Sequence, residues 1–407
     1  MTLSVRTDFP GGNGLPLSVD ETAGEAVLRF AAEPRNCPEA MWFHFRAAGL
    51  AGRGLRCVLA NPEQTLGGGD WSRNRPVFRP AGGAWTRSGP AVRVDAPGGR
   101  VEWGWEIPPG ADEVEFAHCF PYQITDLEAT LRELGGVVES AFIGLSQKGR
   151  AMTRLATAAP DAGKPAASDA AKPAAPDAGK PAAPDAAKPA APDSAKPAAL
   201  LLARNHAGET PGSWVLDGLL RHLAAREELR AGITWWAVPF VDLDDVVEGS
   251  YGKDPWPHDC NRSWGNGKRA ETIAVAADAA RLVRGSSRLL VVDLHAPAHH
   301  ERTCYVPCRG WDADSPINPI AARFAEAFRE AVPADIRSPI AHVTPGRASV
   351  SRHAGLGAAR WATEVLGRQG VTLEISYQGN QTRDYSIADY RRLGAALAET
   401  VASWLAR

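Results

Sequence analysis

The chain has 407 residues, which exceeds the size of one ordinary domain and is enough for two folded units. Hydrophobic residues make up 44% and charged residues 23%, and the formal net charge is −2, so no strong field attracts nucleic acid or anionic lipid. We therefore expect a small-molecule or peptide substrate, no nucleic-acid partner and no membrane partner.

Neither a secretory signal nor a membrane span is visible. The opening MTLSVRTDFPGGNG lacks basic and apolar signal regions, and no segment reaches the roughly 18 apolar residues that a bilayer requires. These features predict a soluble, cytoplasmic protein. The six cysteines are thinly spread, which favours reduced thiols. A zinc site at Cys304 and Cys308 is disfavoured, because structural zinc sites usually pair two C-x2-C motifs.

Residues 1–125 are predicted to form an N-terminal antiparallel β-sandwich. Apolar residues alternate strictly in Val101–Ile107 and Val114–Phe116, so one face of each strand should be buried and the other wet. Gly- and Pro-rich turns separate such short runs, as is typical of a sandwich.

Residues 126–407 are predicted to form a second, α/β domain. Thr125 and Glu128 have capping-box spacing and should open a first helix. Strands and helices then alternate, which indicates a mixed, mostly parallel sheet with helices on both faces. The predicted elements are helices at Val215–Ala225, Ala270–Val283 and Ile387–Leu405, and strands at Ile233–Phe240, Leu289–Leu294 and Val371–Ile375.

Residues 158–197 consist of five copies of an eight-residue unit of the form AAPDAGKP. This composition buries too little apolar surface to offset the entropy of ordering, so a mobile spacer is expected. Composition alone favours a linker between two domains. Because both flanks, Arg150–Leu155 and Ala199–Ala203, have strand-like sequence, we instead predict an expanded loop between neighbouring strands of the second domain.

Three candidate metal ligands stand at predicted strand ends. His206 and Glu209 follow the strand that ends at Arg204, and His295 follows Leu289–Leu294. Ligands of open α/β sheets bind at such carboxyl ends, and imidazole and carboxylate together suit zinc. The His-x-x-Glu pair alone is expected about once by chance, and His295 alone is compatible with a buried histidine bonded to backbone.

Two further motifs offer catalytic and binding groups. Glu374 is a charged residue inside an apolar strand, so it needs a partner or a task unless it faces solvent from an edge strand. Three protein ligands leave a zinc position for water, and hydrolysis then needs such a carboxylate to accept a proton. Asn261 and Arg262 can together clamp a carboxylate, although an isolated surface arginine is the simpler interpretation.

The order H-x-x-E, N-R, D-x-H and T-x-E resembles the zinc metallocarboxypeptidase family over residues 125–407, apart from the repeats. Trp42–Arg46 and Phe120–Leu127 are similar to the sandwich of its cytosolic-carboxypeptidase-like branch. The resemblance implies a zinc carboxypeptidase-like fold and one Zn²⁺ ion. It also implies specific roles, with zinc ligands His206, Glu209 and His295, general base Glu374, carboxylate-binding Asn261 and Arg262, and Asp259 orienting His206.

Two departures from the family pattern concern catalysis. Cytosolic-type members carry an arginine shortly before the Asn-Arg pair, whereas this chain has Lys253 there, which can supply positive charge without a guanidinium fork. No tyrosine occurs some twenty residues before Glu374, and Arg347 and Arg352 occupy that stretch instead. These arginines either contact an acidic substrate side chain or are solvated surface charges.

The function we expect is zinc-dependent hydrolysis of the C-terminal peptide or amide bond of a substrate with a free carboxylate. In this hypothesis Glu374 deprotonates the attacking water, Arg262 anchors the substrate, and Lys253 helps to stabilise the oxyanion. One alternative is a zinc amidohydrolase acting on N-acyl amino acids or small amides. A second is an inactive binding module, since fold likeness alone does not establish function.

Overall fold

The computed structural model describes residues 2–158, 196–308, 317–343 and 355–407, which contain 18 strands and eight α-helices. The strands of the N-terminal half are β1 Ser4–Arg6, β2 Leu15–Glu21, β3 Glu25–Ala31, β4 His44–Ala48, β5 Gly54–Leu59, β6 Val77–Pro80, β7 Thr86–Arg87, β8 Val92–Ala96, β9 Arg100–Ile107 and β10 Glu113–Ala117. The later strands are β11 Val138–Leu145, β12 Ala151–Thr157, β13 Ala198–Ala203, β14 Thr234–Val238, β15 Leu289–His295, β16 Val306–Pro307, β17 His342–Val343 and β18 Gln369–Glu374.

The helices all follow β10 in the chain. They are α1 Ile124–Leu134, α2 Pro211–Ala225, α3 Glu227–Gly232, α4 Leu243–Glu248, α5 Ala270–Arg284, α6 Ile317–Ala331, α7 Ala358–Glu364 and α8 Ile387–Ala406. None of the helices in the described ranges is both long and apolar enough to cross a lipid bilayer.

The first ten strands form two five-stranded sheets, in the orders β1-β4-β10-β6-β7 and β2-β3-β5-β9-β8. Phe30 of the second sheet contacts Phe45 and Phe116 of the first, with ring centroids 4.9 and 6.2 Å apart. These edge-to-face contacts fill the core between the sheets. The predicted sandwich is confirmed, but it is not wholly antiparallel, because β3 and β5 pair in parallel.

The central sheet of the second half has the order β11-β12-β14-β13-β15-β18. Strands β14, β13, β15 and β18 run parallel to one another, whereas β12 is antiparallel to both of its neighbours, β11 and β14. The predicted mixed, mostly parallel sheet is therefore confirmed. Strand β14, which follows α2, lies on one side of β13 in the sheet, and β15, which follows α5, lies on the other side. Right-handed crossovers therefore place α2 and α5 on opposite faces.

The predicted helices and strands match the observed elements to within a few residues at each end. The position of the capping box that begins the first helix was predicted wrongly. The first helix begins at Ile124, and the carboxylate that caps it is Asp126, whose Oδ2 accepts the backbone N–H of Gln123 at 2.7 Å. The cap thus lies two residues earlier than the predicted Thr125–Glu128 box, because an aspartate at the third helical position performs the same role as glutamate.

Most of the repeat tract lies outside the described residues. Its flanks, β12 and β13, belong to one sheet, but they are not neighbours as predicted, since β14 pairs with both of them. The crossover through α2 inserts β14 into that gap. The division into domains at residues 125 and 126 stays a prediction.

The sandwich contacts the chain segment that follows Glu374. The guanidinium of Arg87 donates to the backbone oxygens of Tyr377 at 2.7 Å and Tyr385 at 3.1 Å. Arg75 pairs with Asp384 at 3.0 Å. These hydrogen bonds to charged groups fix the segment that leaves the carboxyl end of β18.

Candidate metal and catalytic site

The loop between β13 and α2 carries His206 and Glu209, and both side chains are buried. A side chain at Gly208 would place its Cβ 2.4 Å from the ring of Tyr251, so only glycine permits this close packing. The backbone N–H of Gly208 also donates to the carbonyl of Tyr251 at 2.8 Å. The loop is therefore held at a single position against the segment around Tyr251.

His206, Glu209 and His295 converge, with their potential ligand atoms all within 4.8 Å of one another. The Glu209 carboxylate lies between the imidazoles, 2.8 Å from Nδ1 of His206 and 2.8 Å from Nδ1 of His295. His295 is the last residue of β15, which is the neighbour of β13 in the sheet. The three predicted ligands thus meet at the carboxyl ends of two adjacent parallel strands.

Two aspartates orient the histidines from the outside. Nε2 of His206 lies 3.4 Å from Asp259, and Nε2 of His295 lies 2.9 Å from Asp293. The 2.9 Å contact lets Asp293 accept the Nε2–H of His295, whereas the 3.4 Å approach of Asp259 to His206 is a charge contact rather than a hydrogen bond. The Nδ1 atom of each imidazole faces the Glu209 carboxylate, which can accept a hydrogen bond from the protonated ring.

Each aspartate also accepts a hydrogen bond that fixes its position. Asn205 donates from its side chain to Asp293 at 2.6 Å and accepts from the indole of Trp264 at 3.1 Å. Asp259 accepts the backbone N–H of Asn261 at 2.6 Å. Such supporting hydrogen bonds rigidify a ligand set before any ion binds.

The charges of the cluster are mutually stabilised. Burial alone would lower the pKa of each histidine, but Glu209 with Asp259 raises the pKa of His206, and Asp293 with Glu209 raises the pKa of His295 well above its ordinary value. Burial opposes ionisation of Glu209, yet the two imidazoles hold its pKa well below the usual range. The carboxylate is therefore ionised and ready to bind a cation.

These donors fit a zinc ion. Two imidazole nitrogens and one carboxylate oxygen are ligands that zinc prefers, and three protein ligands leave a position for water. Among the described residues this trio is also the one group of three or more His, Cys, Asp or Glu side chains close enough to share an ion. Cys304 and Cys308 are buried free thiols outside it.

Glu374 lies beside this cluster because β18 pairs with β15 in a register that sets Glu374 opposite His295. Its Oε2 atom is buried and has no hydrogen-bond partner among the described residues. Burial raises the pKa of Glu374 to about 7, and neighbouring Glu209 adds to the rise while His295 opposes it. A carboxyl with a pKa near neutrality is suited to take up and release a proton.

Asn261 and Arg262 form a short 3₁₀ turn, Cys260–Arg262, directly after Asp259. Nη1 of Arg262 donates to the carbonyl of Asn261 at 2.9 Å, and no carboxylate in the described part of the chain pairs with this guanidinium. The Oδ1 atom of Asn261 is buried without a partner. Asp259 thus ties the predicted carboxylate-binding pair to His206.

Lys253 is partly buried, and its charge lowers the pKa of Glu374, which opposes the effect of burial. The predicted oxyanion-stabilising cation therefore lies within electrostatic reach of the predicted base. Arg347 and Arg352 lie outside the described residues.

The sequence interpretation missed two supporting residues. Asp293 stands two positions before His295, and its orienting role could have been inferred from that spacing. Tyr251 donates its hydroxyl to Glu209 at 3.4 Å and lies 3.5 Å from the hydroxyl of Tyr377, and neither contact has a local sequence signal.

Comparison with known proteins bears on the whole chain. Residues 5–119 match the family model of the cytosolic carboxypeptidase N-terminal domain. The predicted resemblance to the cytosolic-carboxypeptidase branch is confirmed.

Two curated relatives are named cytosolic carboxypeptidases. The chain is 26% identical over 275 residues to cytosolic carboxypeptidase 2 of Danio rerio, a match that covers 62% of this chain and 33% of that protein. It is 23% identical over 220 residues to cytosolic carboxypeptidase 3 of Bos taurus, covering 52% and 20%. The chain therefore spans a third or less of the curated relatives that it matches.

Solved structures extend the likeness to the full fold. A metallo-carboxypeptidase from Burkholderia cenocepacia superposes with a TM-score of 0.73 at 20% identity, covering 99% of this chain and 98% of that one. A metallo-carboxypeptidase from Pseudomonas aeruginosa, solved with (2-guanidinoethylmercapto)succinic acid, gives 0.73 at 21% identity and 99% coverage of both chains. The predicted zinc carboxypeptidase-like fold is confirmed.

Proposed function

We propose that this metallocarboxypeptidase-like protein is a zinc-dependent hydrolase that releases the C-terminal residue of a peptide. The observation that carries the proposal is the convergence of His206, Glu209 and His295 beside the unpartnered carboxylate oxygen of Glu374. A buried, unpaired carboxylate oxygen is costly unless it has a task. The cytoplasmic location of the protein stays a prediction.

In this proposal the residues of the site have separate roles. His206, Glu209 and His295 would hold one Zn²⁺ ion, which when bound polarises water and the scissile carbonyl. Glu374 accepts the proton of the attacking water at its free Oε2 atom and returns that proton to the leaving nitrogen. Burial favours the protonated form of Glu374, which helps it to return that proton. Lys253 faces the negative charge that develops on the carbonyl oxygen.

Asn261 and Arg262 supply the specificity for a chain end. The guanidinium of Arg262 has no carboxylate partner in the described ranges and can therefore donate two hydrogen bonds to the terminal carboxylate of a substrate. Because Asp259 contacts both this turn and His206, the anchor and the metal ligand keep a fixed separation. A fixed separation selects the last peptide bond rather than an internal one.

The decisive experiment replaces Glu374 by Gln, which keeps the shape and removes the proton acceptor. We expect unchanged zinc content by elemental analysis and a loss of turnover of at least about 100-fold toward a peptide panel. Glu128→Gln, an exposed site on α1, is the matched control and should behave like wild type. A Glu374→Gln variant with full activity would exclude the proposed base.

The same assay separates the alternatives. Mass spectrometry of the products should show peptides shortened from the C-terminus, whereas an amidohydrolase would cleave only N-acyl amino acids or small amides. An inactive binding module would turn over neither substrate while still binding peptide. Arg262→Ala should raise KM for peptides that end in a carboxylate and leave C-terminally amidated peptides unaffected.

A further inference from the structure

A cavity of about 710 Å3 opens at the end of the central sheet opposite to the proposed metal site. Its wall includes Leu289 and Gln369, the first residues of β15 and β18, whereas His295 and Glu374 are the last residues of those strands. At about 3.3 Å per strand residue, roughly 20 Å separate the two places. We call this cavity the arginine cleft.

Four arginines line the cleft, and no acidic residue does. They are Arg288, Arg323, Arg368 and Arg407. In a chain with a formal net charge of −2, this is a local concentration of positive charge.

These guanidiniums lack the carboxylate partners that several other arginines in the described ranges have, although Nε of Arg323 donates to the carbonyl of Pro319 at 3.2 Å. Arg391 and Arg392, for example, pair with Asp217 and Asp335 at 2.6 Å. Within the described ranges no carboxylate pairs with any of the four cleft arginines. Arg368 makes one long bond, from Nη2 to the carbonyl of Val283 at 3.4 Å, and its Nε atom is buried without a hydrogen-bond partner.

An aromatic ring completes the cleft. Trp404 is partly exposed, and its indole N–H donates to Gln369 at 2.6 Å, which fixes the plane of the ring. Phe324 packs edge-on against it at 5.7 Å, and the guanidinium of Arg323 lies 5.8 Å from the ring centroid. The cleft therefore contains an indole ring of fixed orientation next to arginines that have no carboxylate partner in the described ranges.

We propose that the arginine cleft binds a nucleoside polyphosphate. Guanidinium forks match phosphate oxygens in bidentate fashion, and an indole provides a stacking face for a base. A cavity of this volume is within the range of sites for small ligands. An acidic peptide fits less well, because carboxylates on one face of an extended chain are about 7 Å apart, whereas consecutive phosphates concentrate their charge.

The test is isothermal titration calorimetry of the full, zinc-loaded chain with ADP, with pyrophosphate and with tetraglutamate. We expect ADP to bind with a Kd below about 100 μM and more tightly than the other two ligands. Arg368→Gln and Arg288→Gln should each weaken ADP binding by about tenfold, since each removes a charge-assisted hydrogen bond. Arg132→Gln, an exposed arginine on α1, is the matched control and should leave binding unchanged.

Three results would overturn phosphate binding in the arginine cleft. They are no heat of binding for ADP at about 1 mM, equal affinity in wild type and both cleft variants, or tighter binding of tetraglutamate. Pyrophosphate binding as tightly as ADP would overturn the assignment of a nucleoside. Thermal unfolding midpoints of all variants, measured in parallel, show whether each is folded. None of these readouts depends on peptidase activity.

Discussion

Nδ1 of His299 lies 2.8 Å from the side-chain nitrogen of Asn74, a residue 225 positions earlier in the chain. Nε2 of the same histidine lies 2.9 Å from the carbonyl of Gly68, and the ring stacks on Trp71 with centroids 4.3 Å apart. Burial lowers the pKa of His299 to about 4, so the ring is neutral at pH 7. The sandwich thus holds the loop that follows His295.

The first prediction concerns this contact. Asn74→Ala should leave the buried Nδ1 of His299 without a donor and lower the free energy of unfolding by about 1–3 kcal/mol. Urea unfolding followed by tryptophan fluorescence measures the change. Gln147→Ala, which removes an exposed carboxamide, should change stability by less than about 0.5 kcal/mol. Equal stability of the two variants would contradict the role given to Asn74.

The second prediction concerns Asp293. Asp293→Asn keeps the side-chain volume but removes the negative charge next to Nε2 of His295, so zinc affinity should fall by about 10- to 100-fold. Competition with a chelator of known affinity measures the loss. Asp20→Asn, an exposed site on β2, serves as the control. Unchanged zinc affinity in Asp293→Asn would show that the aspartate does not tune the ligand.

The third prediction concerns Lys253. Lys253→Met should reduce kcat by about 10- to 100-fold with little change in KM, because the positive charge is needed only when the carbonyl oxygen becomes negative. Lys253→Arg restores the charge and should recover most of the rate. Steady-state kinetics on one good peptide distinguishes these cases. A rise in KM with constant kcat would instead place Lys253 in substrate binding.

The fourth prediction concerns acid stability of the sandwich. Glu115 accepts hydrogen bonds from Arg79 at 2.9 Å and Arg46 at 3.1 Å, and His44 lies 3.2 Å away. Burial opposes ionisation of Glu115, but His44 and Arg79 outweigh it and lower its pKa from 4.5 to about 2. Because the folded-state pKa is lowered, the stabilisation is present above about pH 4.5 and is lost as the pH falls toward 2.

Glu115→Gln should therefore be less stable than wild type at pH 6, by at most about 3 kcal/mol, and the difference should shrink toward pH 2. Urea unfolding of the metal-free proteins measures this dependence without interference from zinc release. A difference that stays constant from pH 6 to pH 2 would contradict the assigned pKa.

Local sequence patterns predicted the elements that carry the site. The unbroken apolar run before His295 identified β15, and the carboxyl ends of such strands indicated where His206 and His295 meet. The side chains that support the metal ligands could not be predicted in this way. The side chain of Asn205 contacts Asp293 and Trp264, which are far from it in sequence. Only the assembled fold brings these residues together.

Strand order was also beyond the reach of local patterns. The flanks of the repeats were recognised as strands, yet their adjacency was predicted wrongly, because strand order depends on where the α2 crossover delivers β14. In the sandwich, the parallel pair β3 and β5 was missed for a similar reason, since apolar alternation does not encode strand direction.

The placement of β12 and β13 on either side of β14 has a consequence for evolution of the repeat. The end of β12 and the start of β13 are two strand spacings apart, about 10 Å, and hydrogen bonds to β14 fix both ends. Any connection longer than a few residues can bridge that gap, and each doubling of its length costs only about 0.6 kcal/mol. We therefore expect that insertion or deletion of whole eight-residue units leaves the pairing of the central sheet intact.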